Sequence, residues 1–407
     1  PFPRIVRVRP SLTHLTLAAL VAGAAFGAVA PAWAPHLGVL TRLFVRLLQM
    51  VVTPLVFATL AVGVAGSDRR APLRRLAVAT VAYFAVTSIA ASLVGLAAGN
   101  VLLAIVAPGP LMAGAAGAAS PAAAPASFLD LLVPASIVRA MADNNLLALV
   151  FFTVLFSLVL RQVPERTAAP LLTVLEALAT VMTRLAGALM WTAPVAVFAA
   201  IAVAVSTNGW SGVRAFGALV IVTYASLFAF AVVVLWVSSR IGRFRPAAFL
   251  RSVAGALTVA FSTASGAAAL PGAMEELERS GVSRRTIGFV LPLGYSFNLM
   301  GPAVYVPLVT LFWAHVNGVS LDWAHQALLV GLTFVVIRGI PPIPRGLFFV
   351  WGGLLAQLHL PLEGLVIMLG IDPLTDMART LLNVGGNCLA VATLDGALAP
   401  RHDPATP

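Results

Sequence analysis

Asp372, Asp376, Arg379, Thr380, Asn383 and Asn387 stand inside an otherwise apolar C-terminal stretch, residues 370–396. At about 100° per helical residue they fall within an arc of roughly 100°, so a helix presents all six on one face. Two carboxylates, a guanidinium, a hydroxyl and two amides on one stripe can grip a charged solute from several sides. Ionisable groups inside a membrane are expensive and line substrate or ion paths. The alternative, a structural Asp376–Arg379 pair between helices, leaves the other polar positions on the stripe without a reason.

The rest of the chain must hold that face. Its 407 residues are 60% hydrophobic and 10% charged, with mean hydropathy +1.00. That composition belongs to a polytopic α-helical membrane protein. A β-barrel is excluded, because the apolar segments run about 20 residues or more without period-2 alternation. Net charge is +11, and all 25 basic residues are Arg. They sit in short loops, which assigns them to membrane orientation rather than to nucleic acid. The lone Cys388 rules out an internal disulfide and says nothing of compartment. Residues 11–33 are too long for a removed signal peptide and lack a convincing small-residue cleavage site.

Arg4, Arg7 and Arg9 precede a first span near 11–33, opened by Ser11 as an N-cap. A second span near 39–66 leads to a basic loop of Arg69, Arg70, Arg74 and Arg75, and a third runs near 76–106. An uncharged Ala/Gly/Pro segment at 107–126 reads as a flexible outer loop. Spans near 127–160 and 168–206 flank Arg161 and Arg166, and a sixth near 214–239 precedes Arg240, Arg243 and Arg245. Arg-rich loops alternating with bare ones place the N-terminus in the cytoplasm.

Two segments break this pattern. Residues 246–272 are apolar but basic at both ends, so they enter and leave on the cytoplasmic side, with Phe-Ser-Thr-Ala-Ser-Gly as the tip of a re-entrant hairpin. Residues 325–358 are interrupted by Arg338-Gly-Ile-Pro-Pro-Ile-Pro-Arg345-Gly, and those prolines cannot continue a helix. With acidic rather than basic flanks (Asp322, Glu363), that segment dips in from outside. Between them, Asn298, Gly301 and Pro302 break the span 286–313, although Pro302 could merely kink a packing helix. Non-helical backbone at membrane depth is tolerated where it lines a cavity, and a broken helix between two opposed hairpins is the inverted-repeat logic of secondary transporters.

Over nearly its whole length the chain resembles the dicarboxylate/amino acid:cation symporter family, the glutamate transporters. The resemblance rests on Phe44-Val-Arg-Leu-Leu-Gln-Met-Val-Val-Thr-Pro54-Leu-Val-Phe-Ala, Tyr83-Phe-Ala-Val-Thr87-Ser88, Ala193-Pro-Val-Ala-Val-Phe-Ala and Leu291-Pro-Leu-Gly. Most specific is Leu369-Gly-Ile-Asp-Pro-Leu-Thr-Asp376-Met-Ala-Arg379-Thr-Leu-Leu-Asn383-Val, which resembles the family's eighth helix almost residue by residue. It implies an all-α protein of eight transmembrane helices and two opposed re-entrant hairpins, assembled as a homotrimer. It also implies a scaffold from residues 1–75 and 127–206. The moving elements would be helices 3 and 6 (76–106 and 214–245) and a transport core over 246–398, travelling as an elevator gated by the second hairpin. In the eighth helix Asp376 would accept a substrate amino group, Arg379 would pair its side-chain carboxylate, and Thr380 and Asn383 would hold the remaining polar atoms. A planar guanidinium fork suits a carboxylate, and a buried carboxylate balances an ammonium.

The departures from the family fall on its cation sites. Where the family reads Asn-Met-Asp-Gly-Thr, this chain has Asn298-Leu-Met300-Gly-Pro302, and where it reads Asn-Val-Thr-Gly-Asp, this chain has Asn383-Val-Gly-Gly386-Asn387. A thioether and an amide replace two carboxylates, and hard cations prefer anionic and carbonyl oxygens. Phe84 stands where the family often has Tyr, while Thr87 and Ser88 remain; the first hairpin's serines are reduced to Thr263 and Ser265. The second hairpin instead carries Arg338 and Arg345, for which three roles stay open. One of them replaces a bound Na⁺, they bind substrate carboxylate directly, or they snorkel outward. Asp372 reads as helix-capping or packing before a proton relay.

These readings describe a secondary transporter of aspartate, glutamate or a C4-dicarboxylate in the inner membrane of a bacterium or archaeon, with both termini cytoplasmic and no nucleic-acid partner. Sodium coupling is expected to be weakened or lost, with Na⁺ or H⁺ left open as coupling ion and no cofactor or confidently placed metal. The alternatives are an uncoupled or proton-coupled facilitator, and a non-transporting solute sensor on the same scaffold. An intramembrane enzyme lacks its signatures, since there is no His-Glu-x-x-His, nucleophile elbow or Ser/Lys pair. The six histidines read as interfacial, Trp191, Trp210, Trp313, Trp323 and Trp351 as an aromatic belt, and Glu275, Glu276, Glu278 and Arg279 as a solvated face.

Overall fold

Apolar runs set the helices, and short polar or glycine-containing breaks end them. The computed structural model describes residues 12–65, 74–106, 133–340 and 345–398, and these form helices joined by short turns, with no strand among them. The N-terminal arginines, Ser11, Arg69, Arg70, the 107–126 loop, three prolines of the second hairpin and His402 lie outside the described residues. Six helical segments are long and apolar enough to cross a membrane.

Helices α1 (Leu12–Val29), α2 (Gly38–Ala65) and α3 (Arg74–Ile105) follow the first three expected spans closely. The next two spans are corrected. What reads as one span over 127–160 divides, in its described part, into α4 (Ile137–Ala142) and α5 (Leu146–Leu160). Asn144 takes the left-handed conformation (φ 53) between them, and its Oδ1 accepts from the Thr53 hydroxyl (2.7 Å). Asn145 then caps α5 by accepting from Ala148 N–H at 3.2 Å. Asparagine tolerates left-handed backbone and caps well, so two in succession end one helix and start another. Likewise 168–206 is two helices, α6 (Glu165–Met190) and the start of α7 (Ala193–Gly242). Pro194 sits in the first turn of α7, where its missing N–H costs nothing. Gly209 interrupts α7 with φ 58 and ψ −146, a conformation only glycine enters freely, so the fifth and sixth spans join there.

The first interrupted segment forms α8 (Pro246–Ser252), α9 (Ala254–Thr263) and α10 (Gly266–Arg279). Ala264 is left-handed (φ 49), Ser265 caps α10 by accepting from Ala268 N–H, and α9 folds back on α10. Glu276 departs from its expected place on a solvated face. Its Oε2 accepts from Ala256 N–H at 3.0 Å, so one arm of the hairpin satisfies the helix start of the other. Glu275 and Glu278 do pair at the surface, with Arg279 and Arg284.

The second interrupted segment is α13 (Trp323–Val336), a 3-10 turn (Ile337–Gly339) and α14 (Leu347–Gln357). Helices of 10, 14 and 11 residues for α9, α13 and α14 reach only about 15–21 Å, short of a hydrocarbon core near 30 Å. Asp322 caps α13, and the backbone N–H of His325, followed by its ring, holds that carboxyl below the usual range.

Between the hairpins the chain forms α11 (Arg284–Phe297) and α12 (Met300–Val316), and it ends in α15 (Gly364–Leu398). Helix α12 is buried almost throughout, packed between α3 and α15, while α15 runs along α7. Two tryptophans expected in an aromatic belt belong to this core. Trp313 and Trp351 are each 1% exposed, because their indole N–H groups find acceptors within the fold, the Pro361 carbonyl (2.8 Å) and the Thr310 hydroxyl (2.9 Å). Trp191 and Trp323 are exposed, as a belt requires.

Candidate substrate and ion site

Helix α15 sets Asp372, Asp376 and Arg379 on one face by spacings of four and three residues, and the structure pairs them. Arg379 Nη2 donates to Asp372 Oδ1 and, at 3.1 Å, to Asp376 Oδ1. Its guanidinium also lies over the Tyr305 ring of α12, 4.5 Å from the centroid, a cation–π contact. Arg379 is only 2% exposed and so faces protein. Asp372 is fully buried as an ion-pair partner, not as the helix-capping or packing residue expected of it. The spacing could have revealed this, since Asp372 lies seven residues before Arg379 on the same stripe. Tyr305 could not have been found, because nothing in its local sequence marks it.

The break between α11 and α12 falls at Asn298–Leu299, at the first of the three residues expected to break the span. Pro302 lies in the first turn of α12, where a missing N–H is tolerated. Asn383 Oδ1 accepts from Gly301 N–H at 2.8 Å, so α15 satisfies one of the unpaired donors at the start of α12. Gly301 is required by contact, because a Cβ there would lie 2.4 Å from the Arg379 carbonyl oxygen.

Four of the six expected cation-site positions, Asn298, Asn387, Thr87 and Met300, are brought together around this break. Asn298 donates its amide to Asn387 Oδ1 at 2.9 Å, and Thr87 reaches Asn298 Oδ1 at 3.4 Å. The Met300 thioether fills the space beside Gly386, where a Cβ would meet its sulfur at 2.5 Å. Ser88 and Phe84 are buried on α3, the Ser88 hydroxyl without a hydrogen-bond partner. No carboxylate belongs to this set. Its amides share one hydrogen bond and its sulfur is soft, so the residues fit a hard cation poorly.

The second hairpin separates its two arginines. Arg345, left-handed at φ 63 and 7% exposed, turns inward. Its Nε lies 3.8 Å from Asp372 Oδ2, and its Nη1 donates to Thr16 Oγ1 of α1 at 3.1 Å. Arg338 stays on its own turn, stacked 3.9 Å from the Phe334 ring centroid and bonded to the Phe334 carbonyl. In the first hairpin, Thr263 is exposed with its hydroxyl on the Val259 carbonyl (2.7 Å), and Ser265 is spent on capping. The hairpin tip meets α11 and α15 at Gly266, which faces Tyr295 and Val384. Thr380 is buried on the charged stripe.

Two short-helix hairpins around a discontinuous helix, with a buried charged face on the last helix, define a membrane transporter of the broken-helix type. The chain belongs to the sodium:dicarboxylate symporter family, whose sequence model matches residues 12–397. It is a transporter rather than an enzyme. It is similar to the C4-dicarboxylate transport protein of Rhizobium johnstonii, 34% identical over 401 residues, covering 95% of this chain and 89% of that protein. It is equally similar to the proton/glutamate-aspartate symporter of Escherichia coli, 34% over 362 residues (86% and 83%). The proton/sodium-glutamate symport protein of Bacillus subtilis is 31% identical over 404 residues (95% and 93%).

Proposed function

We propose that this protein is a symporter of an acidic amino acid or C4-dicarboxylate across a bacterial or archaeal inner membrane, with both termini cytoplasmic. One observation carries the reading: Arg379, fully enclosed on α15, has a guanidinium matched to carboxylates and holds two of them already. A substrate carboxylate takes their place, Asp376 takes the ammonium of an amino acid, and Thr380 and Asn383 border the site. The relatives named for dicarboxylates and for glutamate and aspartate support this substrate class. By the same membership we assign a homotrimer in which residues 1–75 and 127–206 form the scaffold. Helices 3 and 6 and the core over 246–398 then move as an elevator.

Sodium coupling in this reading is weakened or lost, and the proton takes its place. The hydrogen-bonded Asn298–Asn387 pair and the Met300 thioether support it. So does the inward placement of Arg345, a tethered positive charge where Arg338 supplies none. Relatives named for proton coupling and for proton/sodium coupling stand at similar identity to this chain. Binding of L-aspartate and succinate to the purified protein should change less than about threefold when choline or K⁺ replaces Na⁺, and should respond to pH instead. A strict Na⁺ requirement would overturn the coupling assignment. Asp376→Asn should weaken L-aspartate binding about 30-fold while leaving succinate within a few-fold, as loss of one charged partner implies. Equal losses for both ligands would count against the ammonium role.

A further inference from the structure

Asp372 has two guanidinium partners and uses them unequally. Its Oδ1 receives Arg379 Nη2. Its Oδ2 is buried without a hydrogen-bond donor, 3.8 Å from Arg345 Nε, an ion pair too long to be a hydrogen bond. Arg379 Nε is likewise buried without an acceptor. The charged side chains of Arg345, Arg379 and Asp372 are 5%, 3% and 1% exposed. The charged and polar groups that contact them among the described residues come from four elements. Helix α15 supplies Asp372, Asp376 and Arg379, the second hairpin Arg345, α12 the neutral Tyr305, and α1 the Thr16 hydroxyl. Two positive and two negative charges leave the cluster neutral before any solute arrives.

Buried ions need partners, and an unpaired one costs far more than a paired one. A solute carboxylate that takes the Nη2 edge of Arg379, where Asp372 now sits, displaces Asp372 into another pairing. Arg345 is the group in position to receive it. From this we infer that Asp372 is a transferable counter-ion, which holds Arg379 while the site is empty and passes to Arg345 when a substrate carboxylate arrives. The inference rests on the acidic-solute reading above and deepens it. After the exchange each guanidinium holds one carboxylate, and Asp376 is free for an ammonium. The unsatisfied Oδ2 gains the donor it lacks when its gap to Nε closes from 3.8 Å to about 2.8 Å.

This exchange ties the substrate reader to the second hairpin. Arg345 begins the return arm of that hairpin, one residue before Gly346 caps α14. A tighter Asp372–Arg345 pair therefore draws Arg345 and the start of α14 toward α15 once substrate is present. It also gives a reason for a left-handed Arg, a strained conformation that persists where surrounding contacts enforce it. The binding energy of the solute itself, rather than of a co-bound cation, then tightens the contact between Arg345 and α15.

The test is a rescue experiment on the purified full chain with L-aspartate and succinate as probes, each variant first checked for monodispersity and thermal midpoint. Arg345→Gln should weaken both ligands about 30-fold, because displaced Asp372 is left buried and alone. Adding Asp372→Asn to Arg345→Gln should restore affinity to within about threefold of the wild type, since no charge is then displaced. If Arg345→Gln does not fold, the charge-balanced double variant is compared with Asp372→Asn alone, and equal affinities support the exchange. Failure of the second substitution to rescue, or unchanged affinity in Arg345→Gln, overturns it. A direct contact between Arg345 and substrate would give the former result. As a structural readout, a thiol at Ile340→Cys should be protected from a maleimide by L-aspartate when Arg345 is present and not in Arg345→Gln, the native Cys388 being fully buried. Equal protection in both backgrounds counts against the hairpin link. Absence of binding by either probe to the wild type would instead indict the substrate reading.

Discussion

Arg379→Ala should abolish measurable binding of acidic solutes, an expected loss of at least about 100-fold. Three features on the page combine in that expectation. The guanidinium is enclosed, so water cannot stand in for it; it is the group that both Asp372 and Asp376 contact; and the Tyr305 ring fixes its plane. Removing it leaves Asp376 without the partner it has now and Asp372 with Arg345 alone, at the longer distance. The site thus changes from neutral to net negative and repels the ligand class it should attract. Arg379→Lys should recover part of the affinity, because a point charge replaces the Coulomb attraction but not the planar fork. Isothermal titration with succinate and L-aspartate checks both variants, and a loss under threefold for Arg379→Ala would mean that another group reads the carboxylate.

Gly301→Val carries the second large effect, and its cause is steric rather than chemical. A Cβ at this position would lie 2.4 Å from the Arg379 carbonyl oxygen and 2.8 Å from its Cα. Backbone on both sides leaves no flexible atom to yield, so α12 must lift from α15. That movement also breaks the Gly301 N–H bond to Asn383 and pulls Tyr305 from beneath Arg379. Overpacking of a closed core costs about 1–3 kcal/mol and more where only backbone can move, so a fall beyond 3 kcal/mol or failure to accumulate is expected. Thermal unfolding in detergent measures it, with Gly288→Val as control, since nothing lies within 4 Å of a Cβ there. Equal tolerance of the two would show that α12 and α15 do not meet as closely as described.

Much of the architecture was legible because it follows from local chemistry. A membrane requires apolar helices, so α1, α2 and α3 could be bounded from hydropathy alone. Prolines cannot continue a helix, and Asn298 with its small neighbours cannot hold one together, so the second hairpin and the α11–α12 break were visible in advance. The charged stripe on α15 followed from the helical period and from the cost of burying ions. Where two helices abut through a short turn, as at Asn144 and at Trp191, hydropathy ran them together, because it averages over residues while a turn needs only two or three.

Pairing across the fold was not legible, since it depends on elements far apart in sequence. Three roles were conceivable for Arg338 and Arg345, and their spacing could not choose between them. The left-handed backbone at Arg345 chose, by turning one guanidinium onto Asp372 while the other settled on its own Phe334 ring. The same holds for Trp313, Trp351 and Glu276, whose placement was decided by partners that only packing supplies. Composition and period thus fixed which groups lie in the membrane and on which face of their helix. Tertiary structure decided which charge answers which, because the energy of a buried ion lies in its partner and not in its own position along the chain.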